Sequence, residues 1–316
     1  VQHQEGTFQG VRDLTLYYQC WLPQQEKASL ILLHGLGGHS GHFEKVARNL
    51  VERGYGIYGF DLRGHGRSPG QRGFIQSWAE FRGDLRRFIH RVQEQKREIP
   101  CFLGGQSLGG LIALDYAFRC PAGLHGLIIS GIPMGRVSVP AVKMTIGRVL
   151  SRVYPQFSLS TGLDGDACTR DPSVAEFYLN DPLCHDQGTA RLATEYLKTV
   201  RWLQKHPGEL HLPLLLLHGD ADRIAPVADS EMLFEKITSP SKHKRIYVGG
   251  YHSVYDGINY AEVVSDLGNW MEQHLHAPVY SSAVLLSSSD SEKQPTMAEA
   301  MRSLVCQISL DGLEIA

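Results

Sequence analysis

A serine set between two glycines, where a strand-like run meets a helix-like one, constrains this chain more than any other feature. Residues 99–104 are a short apolar run of the kind a buried strand gives. Gly105-Gln106-Ser107-Leu108-Gly109 follows, and residues 110–118 read as a helix. A turn sharp enough to lift a serine hydroxyl clear of a sheet brings the flanking backbone too close for a β-carbon, and glycine removes that obstacle. Ser107 is therefore the candidate nucleophile. The competing reading is a tight turn whose serine only caps the helix after it.

A serine is a poor nucleophile unless a base takes its proton and a carboxylate holds that base in the right tautomer. Both are expected at the ends of later strands, in the order acid, then histidine. Residues 212–218 form a continuous apolar run typical of a buried parallel strand, and Gly219-Asp220-Ala221-Asp222 follows directly. A helix-like stretch at 227–237, a strand-like one at 244–248 and then Gly249-Gly250-Tyr251-His252 complete the series. His252 is the candidate base, against the alternative of a solvated loop histidine. Asp222 is preferred to Asp220 as the acid because it lies further into the loop, before Arg223-Ile224-Ala225-Pro226. Asp220 is expected to cap the turn.

Attack on an ester carbonyl also needs two backbone donors for the oxyanion. The Leu108 amide, at the start of its helix, is one; the Leu36 amide, in His34-Gly35-Leu36-Gly37-Gly38 after a strand at 29–33, is the other. His34, His39 and His42 invite a metal reading. No Cys or acidic residue accompanies them at ligand spacing, so neither metal nor cofactor is expected.

Taken together, residues 34–43 (HGLGGHSGHF), 61–68 (DLRGHGRS), 105–110 (GQSLGG), Asp222 and 249–252 (GGYH) resemble the monoacylglycerol lipase and lysophospholipase branch of the α/β-hydrolases, the serine aminopeptidase S33-like group. The resemblance spans about residues 10–275. It implies that Ser107, Asp222 and His252 form the triad, that Leu36 and Leu108 give the oxyanion hole, and that residues 61–68 shape a supporting loop. His34, Gly35, Gln106, Ile146 and Leu150 would line the substrate. Animal monoacylglycerol lipases of this branch carry Glu where this chain has Gly38 and Arg where it has His42. The glycerol-recognising contact therefore does not carry over, and lysophospholipids, galactolipids and other acyl esters stand beside monoacylglycerols.

A chain of 316 residues, 42% of them hydrophobic, is long enough for one α/β domain with an insertion. The formal net charge of -2 gives no electrostatic reason to expect nucleic acid. Six cysteines are scattered without paired spacing, as in reduced cytosolic proteins, and no run of 18 apolar residues suggests a transmembrane helix. The numbering starts at Val1, which leaves room for a removed targeting segment.

The expected architecture is a mostly parallel eight-stranded sheet covered by helices, with a helical cap after the sixth strand. A hairpin at 8–9 and 14–21 precedes strands at 29–33, 56–60, 100–104, 124–129, 213–218 and 244–248. Helices are expected at 41–52, 77–95, 109–118, 227–237 and 259–274, with Ser77 and Glu80 as a capping box. The core would comprise 1–131 and 212–277, and the cap 132–211.

In the cap, Val142, Ile146, Val149 and Leu150 share one helical stripe, suited either to core packing or to roofing an acyl tunnel and meeting a membrane. Asp181-Pro182-Leu183 reads as a structural turn. A serine-rich linker from 278 leads to a short amphipathic tail helix opening at Thr296.

The expected activity is hydrolysis of a lipid acyl ester by a cytoplasmic or membrane-peripheral serine esterase. A serine peptidase or iminopeptidase on the same fold, using cap residues Asp164, Asp166 and Glu176 to hold an amine, and a non-catalytic ligand receptor are the alternatives.

Overall fold

The computed structural model describes residues 1–96, 99–135, 141–162, 165–206, 208 and 210–277, with 141–143 described by backbone alone. The strands are β1 (Gln2–Gln9), β2 (Thr15–Leu22), β3 (Ala28–Leu33), β4 (Tyr55–Phe60), β5 (Cys101–Gln106), β6 (Gly126–Ser130), β7 (Ser158–Ser160), β8 (Gln187–Thr189), β9 (Leu214–Gly219) and β10 (Lys242–Tyr247). The helices are α1 (Glu44–Glu52), α2 (Trp78–Gln95), α3 (Leu108–Arg119), α4 (Ala141–Val153), α5 (Gly165–Cys168), α6 (Pro172–Asn180), α7 (Ala190–Lys205), α8 (Val227–Lys236) and α9 (Tyr260–His274).

Eight strands form one sheet in the order β1-β2-β4-β3-β5-β6-β9-β10. β1 with β2 and β2 with β4 pair antiparallel, and every other neighbouring pair is parallel. The central strands are covered on both faces, so they read as unbroken apolar runs. Alternation still decides which face each side chain meets. Ile31, Leu33, Leu103, Leu214 and Leu216 pack with α2 and α3 on one side. Leu30, Leu32, Phe102, Leu215 and Leu217 pack with α1 and α9 on the other.

Three local features differ from the sequence reading. β1 extends back to Gln2, where only its last two residues were expected. Its Gln2–Glu5 side chains are exposed, so no apolar alternation marks this edge strand. β10 begins two residues earlier than expected and exposes His243 and Arg245 on its solvent side. Ser77 is the residue before α2, but its side chain makes no capping bond. Glu80 instead accepts from the N–H of Gln76, one residue before the cap, at 2.8 Å and pairs with Arg63 at 3.3 Å, so neither bond of the expected capping box forms.

The insert between β6 and β9 holds α4, the β7–β8 ribbon, α5, α6 and α7. α7 anchors it: Leu192, Val200 and Leu203 are buried in the same cluster as α2 and α3, and the Tyr196 hydroxyl donates to the Pro133 carbonyl at 2.5 Å. α4 lies on α7, with Ser151 and Thr194 hydroxyls 2.7 Å apart. Its stripe divides: half-buried Leu150 faces a cavity, Ile146 borders the same cavity while staying as exposed as Val149, and Val153 is exposed. The Val142 side chain, Asp164, and the linker and tail helix expected beyond 278 lie outside the described residues.

Candidate active site

β5 ends at Gln106 and α3 starts at Leu108, leaving Ser107 alone to turn the chain. Its backbone sits at φ 53°, ψ −118°, a conformation costly for any residue with a β-carbon. The flanking glycines are required by space. A β-carbon on Gly105 would lie 2.4 Å from the Gly109 carbonyl, and one on Gly109 would lie 2.3 Å from the Leu33 carbonyl oxygen. The Ser107 N–H donates to the Ser130 carbonyl at 2.9 Å and its carbonyl accepts from Leu111, which secures the strained residue at both ends.

His252 follows β10, and its Nδ1–H donates to Asp222 Oδ2 at 2.7 Å, leaving Nε2 as the free base nitrogen. Asp222 Oδ1 accepts from the Ile224 and Ala225 N–H groups at 2.8 and 2.9 Å. Burial pushes this carboxyl up, but the hydrogen bonds from His218 and His252 outweigh it and hold the group well below the usual carboxylate range. Asp220 is turned away to accept from the Gly249 N–H at 2.6 Å, the structural part expected of it.

The Leu108 N–H opens α3 and so has no partner within the helix, and the Leu36 N–H joins no backbone hydrogen bond among the described residues. Gly35 brings this loop against the serine: a β-carbon on it would sit 3.3 Å from Ser107 Cβ. Asp61 holds the loop from below, accepting from the Ser40 N–H at 2.7 Å and the Arg67 N–H at 2.8 Å. Arg63 forks onto Asp84 at 2.7 and 2.8 Å, tying the 61–68 loop to α2.

Two cavities meet at Ser107, sharing Leu36, Ser107 and Ile224 in their walls. One, of about 270 Å³, also takes in His252, Gln106, Gly35, His42 and the Asp181–Asp186 turn. The other, of about 760 Å³, runs under α4 and α7 between Pro133, Ile146, Leu150, Phe157, Leu192 and Tyr196.

Comparison with known proteins identifies the family. A family model described as "Serine aminopeptidase, S33" matches residues 24–256. The chain belongs to this family of α/β-hydrolases. This α/β-hydrolase is 31% identical to a monoacylglycerol lipase of Mycolicibacterium smegmatis, over 86% of this chain and 98% of that protein. It is 29% identical to a monoglyceride lipase of Rattus norvegicus, over 82% of this chain and 88% of that one. The crystal structure of the Paleococcus ferrophilus monoacylglycerol lipase superposes with a TM-score of 0.74 at 32% identity, covering 82% of this chain and 99% of that one.

Within this α/β-hydrolase the structure separates the expected substrate-lining residues. Gly35, Gln106, Ile146 and Leu150 line the cavities, and Gln106 also donates to the His252 carbonyl at 3.3 Å. His34 does not line either cavity. It is buried, its Nε2 accepts from the Leu62 N–H at 3.0 Å, and Nδ1 therefore donates to the Gly35 carbonyl at 2.8 Å. Burial lowers its pKa to about 3. It is a brace for the Leu36 loop.

Two residues escaped the sequence reading. His218 ends the apolar run before Asp222, where it looked like part of a strand, yet its Nε2 lies 3.1 Å from Asp222 Oδ2. Gly131 follows β6 at φ +54°, and a β-carbon there would press to 3.2 Å against the His252 ring. A glycine two residues after a predicted strand was the available signal. The fold also alters the metal argument: Asp181 and Cys184, remote in sequence, stand beside His39 and His42.

Proposed function

We propose that this chain is a serine hydrolase cleaving a long-chain acyl ester of the monoacylglycerol or lysophospholipid type. The observation that carries the reading is the apolar cavity of about 760 Å³ that opens at Ser107, within the roughly 300–1,000 Å³ of small-molecule sites and walled by aliphatic and aromatic side chains. It suits an acyl chain, and the smaller, more polar chamber suits the alcohol.

In this mechanism His252 Nε2 takes the Ser107 proton as Oγ attacks the ester carbonyl. The Leu36 and Leu108 N–H groups hold the oxyanion, each worth roughly 10²–10³ in kcat. Collapse forms the acyl-Ser107 ester while His252 returns the proton to the departing alcohol. Water activated by His252 then releases the fatty acid. Asp222 keeps the imidazole in the tautomer this requires.

The reading treats 1–131 and 212–277 as the core and 132–211 as a lid. The lid exposes Val149, Val153 and Tyr154, the side that would meet a bilayer or micelle. No described helix is long and apolar enough to cross a membrane. A peptidase would need free carboxylates near Ser107 to hold an amine. Asp166 and Glu176 line neither cavity. Asp181 is engaged by His39 and the Leu183 N–H, and Asp186 by Ser160 and Gln187.

The test is labelling by a fluorophosphonate, native protein beside Ser107→Ala, followed by turnover of monoacylglycerol, lysophosphatidylcholine, short p-nitrophenyl esters and aminoacyl amides. Labelling confined to the native protein, with long-chain lipid esters turned over fastest, is expected. Equal hydrolysis by Ser107→Ala would sink the mechanism, and preference for aminoacyl amides would replace the lipid reading with the peptidase one.

A further inference from the structure

Where the lid turn after α6 meets the loop after β3, one donor atom each from His39, His42, Asp181 and Cys184 lies within 4.8 Å of the others. The triad chemistry uses none of these groups. Cys184 Sγ is 3.4 Å from His42 Nε2, and His39 Nε2 is 2.8 Å from Asp181 Oδ2. The two pairs have different roles. His39 Nδ1 accepts the Gly41 N–H at 3.1 Å, so the ring proton is on Nε2 and is donated to Asp181. A nitrogen that carries this proton does not ligate a metal. The bond it makes is the outer partner that a metal-binding carboxylate usually has.

We propose that His42, Asp181 and Cys184 form a binding site for a borderline-soft divalent cation, Zn²⁺ foremost, with His39 orienting the Asp181 carboxylate. One imidazole, one carboxylate and one thiol are a donor set suited to Zn²⁺, at about 2.0–2.3 Å each. A tetrahedron with those bond lengths has edges of about 3.3–3.8 Å, so the side chains need close by only about 1 Å. On binding, the Cys184 S–H bond breaks, the sulfur keeps the electron pair as the metal–thiolate bond, and the proton leaves to solvent. His42 contributes a neutral nitrogen lone pair.

All three ligands line the chamber of about 270 Å³ beside Ser107, so the remaining coordination position opens into it, free for water or an oxygen donor. The turn also reaches the oxyanion loop directly, since the His185 N–H donates to the Gly37 carbonyl at 3.0 Å. A bound ion therefore clips the lid to the loop that carries the Leu36 N–H.

The test is Co²⁺ and Zn²⁺ titration of the full chain in chelator-treated form, read by cobalt absorption and by competition with a zinc indicator dye. Expected are one ion per chain at micromolar or tighter affinity and a thiolate-to-cobalt charge-transfer band. That band should be lost in Cys184→Ser and kept in Cys120→Ser, and His39→Ala should weaken binding about 10- to 100-fold. Melting curves report whether each variant folds. Absence of the thiolate band in the native protein overturns the site whatever the variants do, as does equal affinity in folded Cys184→Ser or binding only at millimolar metal.

Discussion

His218 Nε2 lies 3.1 Å from Asp222 Oδ2, with solvent reaching neither side chain. The same nitrogen is 2.8 Å from the Ala225 carbonyl and Nδ1 is 2.6 Å from the Ser230 hydroxyl. Both partners of Nε2 are acceptors, so it carries a proton and shares it between them. The carboxylate that orients His252 is thus itself oriented from behind.

His218→Ala removes that donor and should lower kcat about 10-fold, near 1.4 kcal/mol, with KM little changed. His218→Gln, which keeps a donor, should recover part of the loss. Steady-state kinetics with a long-chain ester would show it, and a rise in KM alone would assign His218 to substrate binding.

Asp222 should govern both turnover and acid stability. Asp222→Asn is expected to reduce kcat by about 10⁴ through the wrong imidazole tautomer, whereas Asp220→Asn should cost little. Because its folded pKa is depressed, the Asp222 carboxylate stabilises the fold fully above its unfolded value of about 3.9, and the contribution fades as pH falls from there toward the folded value. The stability gap between native protein and Asp222→Asn in urea should therefore be full at about pH 6 and narrow below about pH 4. A gap that does not change with pH would contradict the assigned shift.

Ser107 is held at a positive φ where a β-carbon is strained by about 1–3 kcal/mol. Ser107→Gly relieves this at an entropic cost of about 0.5–1 kcal/mol. The variant should be inactive yet more stable by about 1 kcal/mol, as measured by urea unfolding. A destabilised Ser107→Gly would mean that the hydroxyl, and not the turn, limits the fold at this point.

Leu150 lines the apolar cavity and is half-buried on α4. Leu150→Trp fills part of that space and should reduce kcat/KM for long-chain esters about 10-fold while sparing short p-nitrophenyl esters. Equal losses for both would place the acyl chain elsewhere.

The glycine-flanked turn at Ser107, the pairing of Asp222 with His252 and the succession of core strands along the chain were legible in the sequence because each rests on local patterns. A buried parallel strand must be apolar throughout, a turn with no room for a β-carbon must be glycine, and the candidate catalytic residues follow strand ends. Ser107, Asp222 and His252 could therefore be named from neighbours within a few positions. Contacts between distant segments leave no such trace. His218 looked like the last residue of an apolar strand, and only the path of the 222–225 loop turns its ring onto Asp222. The polar face of β1 carried no strand signal, since its partner β2 supplies the pairing. His34 resembled a site residue by position, but packing buries it under the loop it braces. Asp181 and Cys184 stand some 140 positions from His39 and His42, and it is the lid folding down over the β3 loop that brings their four side chains together.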